Sequence, residues 1–355
     1  MTGDKRTKRK APGIRDVAAA AGVSVTTVSH VLNETPHTRT SEETKARVKE
    51  AALRLGYQPN RLARGLRTQA SGMFGLVTEE IATTPHAGRI ILGAQEEASR
   101  RNLMLSIINS ELTRSPEVGS REIQAFIDRQ VDGVIYATVF HDEVVLPQEF
   151  GAVPAVIIGA RDLSGKVPSV MPDERSGAAG VVAMLVAAGH RRIAFAATSV
   201  DVPATRGRLA GYRDGMIAAG LDPERYLVEA EAEAAGGYEA SLSLLDHGRP
   251  ADERPTALFC YNDRMAMGAY RAIAELGLSI PSDVSVVGFD DQAPIPESLF
   301  PALTTVALPH YEMGAAAVAM IADLQGTKPP DSPNRVEPRL LACPVLERAS
   351  VAPPS

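Results

Sequence analysis

"IRDVAAAAGVSVTTVSHVLN" (residues 14–33) decides how the N-terminal part of this chain folds. Ile14, Val17, Ala18 and Ala21 recur at helical spacing and Gly22 breaks the run, so a short helix ends in a tight turn. Ser24 offers its hydroxyl to the free backbone N–H groups of a second helix, which runs through Asn33. Val28 and Leu32 are expected to anchor that helix. Val25, Thr26, Ser29, His30 and Asn33 then share the opposite face. Two helices joined by a glycine turn, the second polar on its outer side, form a helix-turn-helix, whose second helix enters the major groove of DNA. Thr26 and His30 suit base edges, Val25 a thymine methyl, and Ser29 and Asn33 phosphates. A merely solvated amphipathic helix remains the alternative at this point.

Working outward, a loop with Pro36 leads to Thr40 and Glu43, which fit a capping box opening a helix over about 42–55. Ala52 and Leu55 are expected to face inward, and Gly56 supplies the stop. In "YQPNRLARGLRTQASG" (57–72), Pro59 ends the preceding element, Asn60 caps a short helix from Arg61 to Arg67, and Thr68 to Gly72 reads as linker. Residues 1–12, with "DKRTKRK", read as a disordered basic arm. Residues 1–67 hold 14 Lys and Arg against 6 Asp and Glu, a net +8, while the remainder carries −14. A basic head on an acidic body points to a polyanion-binding module joined to something else, although the basic arm supplies much of the excess.

From Met73 the pattern becomes strand–helix alternation. Apolar runs "MFGLV", "LMLSII" (103–108), "VDGVIYA" (131–137), "VPAVIIG" (153–159), "RRIAFAA" (191–197), "TALFCY" (256–261) and "VSVVGF" (284–289) alternate with helices near 86–101, 117–129, 175–188, 205–219, 236–247, 263–276 and 310–325. A last strand is expected near 339–346. Such runs argue for parallel sheets covered on both faces, and the length argues for two lobes. No apolar run reaches the roughly 18 residues of a membrane span, no apolar segment follows the basic N-terminus as a secretory leader would need, and the two cysteines match no disulfide or metal framework. A cytoplasmic, reduced protein with no membrane partner, no metal and no cofactor is the expectation.

The stretches "VAxxAGVSxxTVSxVLN" and "LGYxPNxxARxL", as they stand between Val17 and Leu66, closely resemble the two signatures of the lactose-repressor (LacI/GalR) family of bacterial transcription regulators. "RLAGYRDGM" (208–216), "FCYNDRMAMGAYRAIAELGLSIPSDVSVVGFDD" (259–291) and "PALTTVALPHYEMG" (301–314) are similar to that family's effector domain, so the likeness spans nearly the whole chain. It implies an α/β chain: an all-helical helix-turn-helix headpiece (13–58), a hinge helix and linker (59–72), and a two-lobed, periplasmic-binding-protein-like domain of doubly wound parallel sheets (73–350). Lobe 1 would take about 73–171 and 305–335, lobe 2 about 172–304 and 336–350. By that resemblance Val25, Thr26 and His30 read bases, and Thr27, Ser29, Asn33 and Asn60 contact phosphate. Leu66 matches a leucine wedged into a base step from the minor groove, Ala63 a small residue near that groove, and Arg67 could enter it. The loop "NETPHTRTSEET" is longer than usual in the family, so contacts between His37 and Thr40 are not assigned. A palindromic operator in double-stranded DNA, read by a homodimer or a higher oligomer, and a repressor's role follow from the same likeness.

Arg208, Asn262 and Asp290 match polar cleft positions of the family, where ligands bind beyond the carboxyl ends of strands. A mutual Arg208–Asp290 ion pair with no ligand is the alternative. Family members often place an aromatic ring near the position of Ala232. This chain has no Trp, so Tyr226 or Tyr238 would have to substitute. Glu79 and Glu80 stand where small polar residues are commoner; facing the cleft, they favour a polyhydroxylated or amine-bearing ligand, and facing out they are merely solvated. A small sugar or glycoside is the expected effector, with the sign of its action open. A transport solute-binding protein should lack the headpiece, and an enzyme should show a phosphate loop or nucleophile elbow, neither of which is present.

Overall fold

The computed structural model describes residues 12–33, 40–57, 70–79, 87–110, 120–138, 141–325 (apart from 247 and 249) and 336–355. It divides into two compact units, Met1–Ser71 and Gly72–Ser355. The expected basic arm and the hinge segment, with Asn60, Ala63, Leu66 and Arg67, lie outside the described residues, as do the 34–39 loop and Glu80.

Among its described residues the first unit holds three helices, α1 (Ile14–Ala21), α2 (Val25–Leu32) and α3 (Glu42–Leu55). Val17, Ala18, Ala21, Val28, Val31, Val48, Ala51 and Ala52 form its core, with Ile14, Leu32 and Leu55 packed at the margin. The inward residues of α2 are therefore Val28 and Val31, spaced i, i+3, while the expected anchor Leu32 is half-buried. Gly22 and Gly56 end α1 and α3 at φ 64° and 65°, backbone angles that favour glycine. Ser24 caps α2 by accepting from the Thr27 backbone N–H at 3.0 Å. The cap of α3 is Ser41, accepting from Thr44 at 3.3 Å, rather than the expected Thr40 with Glu43. The helix starts at Glu42, so only Ser41 stands three residues before a free first-turn donor.

Among its described residues the second unit contains two large sheets and two two-stranded pairings. In chain order its first elements are β1 (Met73–Glu79), α4 (Ala87–Arg100), β2 (Met104–Ser110), α5 (Ser120–Ile127), β3 (Gly133–Ala137), the short β4 (Glu143–Val144), β5 (Ala155–Ile158), the short β6 (Arg161–Asp162) and β7 (Ser169–Pro172). Then follow α6 (Glu174–Ala187), β8 (Ile193–Thr198), α7 (Pro203–Ala218), β9 (Leu227–Ala230), α8 (Ala234–Leu245), β10 (Ala257–Cys260), α9 (Asp263–Glu275), β11 (Ser285–Val287), β12 (Thr305–Val306), α10 (His310–Leu324), β13 (Arg339–Leu341) and β14 (Val345–Leu346). The six-stranded sheet runs β13-β7-β5-β3-β1-β2 and the four-stranded sheet β11-β10-β8-β9, and the two-stranded pairings are β12 with β14 and β4 with β6. Every pairing within both large sheets is parallel.

Alternation within the strands explains the layering. Phe74, Leu76, Ile135, Ala137, Val156 and Ile158 pack with α4 and α10 on one side of the first sheet, while Val77, Val134, Tyr136 and Ile157 pack with Ile123 and Phe126 of α5 on the other. Both faces are buried, as parallel sheets require. In the second lobe, α6 through α9 share one core with β8, β10 and β11. No helix among the described residues is long and apolar enough to cross a membrane.

The lobes exchange chain more often than the expected boundaries allow. The single strand expected near 339–346, assigned with 336–350 to lobe 2, is two. Arg339–Leu341 pairs with β7 in the first sheet. Val345–Leu346 pairs antiparallel with β12, which is itself bridged to β11 through Val287 and Thr304. Residues 305–306, expected in lobe 1, thus sit with lobe 2. Pro344 lies between the two strands and has no N–H to continue a ladder; its carbonyl instead accepts from Ala307 at 2.9 Å.

Candidate DNA-reading helix and ligand cleft

The N-terminal end of α2 is its accessible end. Val25, at 41% exposure, and Thr26 are exposed, whereas Ser29 and His30 are half-buried. The remaining polar residues of the row are occupied locally. Thr27 Oγ1 lies 2.9 Å from Ser24 Oγ, and Asn33 Nδ2 donates to the Ser29 carbonyl at 2.7 Å and to Ser29 Oγ at 3.2 Å. Val25, Thr26 and His30 therefore follow α2 from its first turn to its last.

In the second unit a cleft opens where the carboxyl ends of both sheets converge. Arg89 on the first turn of α4, Asp290 to Ala293 after β11, and Ala307, Leu308 and His310 on the β12–α10 passage line it, around ≈ 230 Å³ of space that is partly open to solvent. Ligands collect at such ends because loops and helix starts converge there.

Behind this wall stands Arg208, on the second turn of α7 rather than at its start. The side chain is buried. Nε donates to Glu174 Oε2 at 2.8 Å, Nη1 to the Tyr261 carbonyl at 2.6 Å, and Nη2 to Asp290 Oδ1 at 2.8 Å. Its guanidinium also lies 4.0 Å from the Phe289 ring centre and 4.6 Å from that of Tyr261. Burial is the largest influence on Glu174 and lifts its carboxyl above the usual range, against the pull of Arg208. Burial opposes charge on Arg208 as well, but Asp290 and Glu174 outweigh it and hold the guanidinium more firmly protonated than usual. The mutual ion pair weighed as an alternative is thus present, with Glu174 as a third member. Asp290 itself adopts φ 106°, a conformation rare for a residue with a Cβ.

Asn262 is held through both ends of its amide. Its Oδ1 accepts from Met265 N–H at 2.8 Å, capping α9, and its Nδ2 donates to the Ala232 carbonyl at 3.0 Å. Glu79 ends β1 at the carboxyl edge of the first sheet. Neither expected tyrosine lines the cleft. Tyr226 is buried with its hydroxyl on the Glu253 carbonyl, and Tyr238 bonds Glu275. The rings near the polar cluster are Tyr261 and Phe289, and they stack on arginine.

Several residues here carry no signal that spacing alone exposes: Glu174, Arg89, Gln292 and Asp263. Asp263 is fully buried, accepting from Thr305 Oγ1 at 2.5 Å and from the Gln292 backbone N–H at 2.7 Å. Burial, reinforced by the nearby Asp290 and Asp291, pushes its carboxyl up to about 7.

Comparison with known proteins assigns both units. The pattern of bacterial regulatory proteins of the lacI family matches residues 13–60, and that of a periplasmic binding protein-like domain matches residues 182–351. The chain is 34% identical, over 92% of its length and 96% of the relative's, to the HTH-type transcriptional regulator RegA of Clostridium saccharobutylicum. The chain belongs to the LacI family. A LacI-family chain is a DNA-binding transcriptional regulator, with its DNA-binding region in residues 13–60 and a periplasmic-binding-protein-like effector domain in the two-lobed unit. Among solved LacI-family structures, the lac repressor dimer bound to operator and the anti-inducer ONPF is 27% identical over 97% of this chain and 100% of that one, with TM-score 0.72. The complex of transcriptional regulator CelR with cellobiose is 29% identical over 96% and 99%, with TM-score 0.62.

Proposed function

We propose that this protein is a repressor that binds a palindromic operator as a homodimer and releases or tightens its grip when a small sugar-like molecule occupies the interlobe cleft. The observation that carries the reading is the polarity of α2: Val25 and Thr26 are exposed at its leading end while Val28 and Val31 are buried beneath. Val25, Thr26 and His30 address base edges. Thr27, Ser29 and Asn33 exchange their intrahelical hydrogen bonds for phosphate oxygens, joined by Asn60. Ala63, Leu66 and Arg67 act from the minor groove, where a leucine wedge costs unstacking energy and brings bent DNA onto more protein surface. A palindrome demands a second copy, because two recognition helices must sit about one DNA turn apart.

The cleft supplies control. Asp290 and Arg208 receive the ligand's hydroxyls, with Glu79 at the edge of the first sheet. Asn262 acts indirectly by holding the start of α9. The cellobiose complex of a similar protein supports a carbohydrate class of ligand. A ligand that binds one arrangement of the lobes more tightly than the other shifts the population, and operator affinity follows by linkage.

Selection of duplexes from a random pool by the full-length chain, with sedimentation of the complexes, tests the proposal. A two-fold symmetric consensus bound by two chains is expected. Binding that is blind to sequence overturns it.

A further inference from the structure

The charges around the cleft do not balance in the way a neutral sugar would need. Asp290 is paired with Arg208, and Asp291 with Arg348, which also reaches Glu297. Both acidic groups on the wall are therefore already served by cations outside it. The guanidinium that lines the cleft belongs to Arg89, which is exposed and makes no ion pair or hydrogen bond among the described residues. Its position does nothing for its own helix. Arg89 is on the first turn of α4, where free N–H groups are already positive and a cation is unfavourable. Beneath the same wall the buried Gln292 side-chain oxygen finds no hydrogen-bond partner among the described residues, and an amide oxygen asks for a hydroxyl or N–H donor.

Resting on the cleft reading above, we infer that the effector is anionic: a hydroxylated carbon skeleton bearing one carboxylate or phosphate, whose charge pairs with Arg89. The hydroxyls of the skeleton lie against Asp291 and Gln292 of the same wall. The anion meets a fork of guanidinium donors, the geometry that carboxylate and phosphate oxygens share. Outside residues 1–67 the chain carries −14, so the protein's overall field does not draw an anion in, and among the described arginines and lysines that line the cleft discrimination falls to Arg89.

The test is a thermal-shift panel on the full-length chain, followed by calorimetry. Neutral pentoses, hexoses and disaccharides are each paired with their aldonic or uronic acids and with their phosphates. Hits confined to the charged halves are expected, and the acid and phosphate arms identify the anion. Arg89→Gln should weaken the charged hit by roughly 10-fold to 100-fold, as loss of a charge-assisted contact does, while leaving the unliganded melting temperature in place. Neutral sugars binding as tightly as their charged partners, with no effect of Arg89→Gln, overturn the anionic ligand and leave the cleft intact. A hit that binds Asp290→Ala as well as the wild type, or no hit in any arm, overturns the cleft reading itself.

Discussion

Arg208 and Asp290 are joined at 2.8 Å, Nη2 to Oδ1, while the same guanidinium holds Glu174 through Nε. One cation serves two carboxylates, and the three residues come from α7, the segment after β11 and the start of α6. The cluster therefore ties together the parts of the second lobe that reach the cleft. A ligand hydroxyl that reached Asp290, as proposed, would meet a carboxylate already oriented, at no further cost in side-chain freedom.

Removing the cation should cost far more than removing a surface ion pair. Arg208→Ala leaves Glu174 and Asp290 buried without a counter-charge, and a loss of about 3–5 kcal/mol is expected. Arg208→Lys should recover little, since an ammonium cannot span both carboxylates and the Tyr261 carbonyl in one plane. Urea unfolding of the two variants checks this; a loss near that of an exposed pair would show that the cluster is solvated.

Asp263 sets a dependence on pH. Its folded carboxyl titrates at about 7, above the ordinary value of 3.8, so the native state retains a proton that the unfolded chain has released. Stability from this group is full below about pH 4, falls as pH rises towards 7 and is lost above it, with a slope of at most about 1.4 kcal/mol per pH unit. Asp263→Asn keeps an acceptor for Gln292 N–H and gives Thr305 a donor. The variant should gain on the wild type between pH 4 and 7, as read by denaturant midpoints. A difference that stays flat with pH would place the Asp263 titration elsewhere.

The headpiece was legible because each helix carries both a period and a stop. Gly22, Ser24 and Gly56 act where their chemistry requires. The misplacements are local: Thr40 for Ser41, and Leu32 for Val31, since i, i+3 and i, i+4 spacings both fit a short helix. The sheets were legible as apolar runs wherever both faces are buried, as in β3, β8 and β10. β9 was missed because its residues are half-buried or exposed, which leaves "LVEA" without a pattern. The site was the least legible part. Arg208 and Asp290 stood out through family likeness, but Glu174 is 34 positions from Arg208, and nothing in local spacing joins them. Asn262, read as a ligand contact, also caps α9, the ordinary role of an Asn just before a helix.

For operator recognition, His30→Ala should relax base preference at one position of each half-site by about 1–3 kcal/mol. Binding to duplexes altered one base pair at a time measures it. A uniform loss across all sequences would make His30 a phosphate contact instead.

Between the lobes, Arg206 of α7 bonds Asp142, which precedes β4, and also Asp201. All three side chains are about half exposed or more. Arg206→Ala should therefore cost at most about 1 kcal/mol, and less in high salt. Stability compared at low and high ionic strength checks both; a larger, salt-insensitive loss would mean that the tie is buried.

The helix pair that covers the first sheet is held close by two glycines. A Cβ on Gly93 of α4 would stand 1.9 Å from the Tyr311 carbonyl oxygen, and one on Gly314 of α10 would stand 2.0 Å from that of Ile90. These neighbours are backbone and cannot swing aside, so Gly93→Ala must push α10 away from α4 across the core of Ile90, Ala94 and Met313. A loss of about 1–3 kcal/mol or more is expected. Gly88, one turn earlier on α4, has nothing within 4 Å of its would-be Cβ, and alanine there should stabilise by up to about 1 kcal/mol through helix propensity. Opposite signs from the same substitution on one helix separate close approach from propensity, and two thermal melts decide between them.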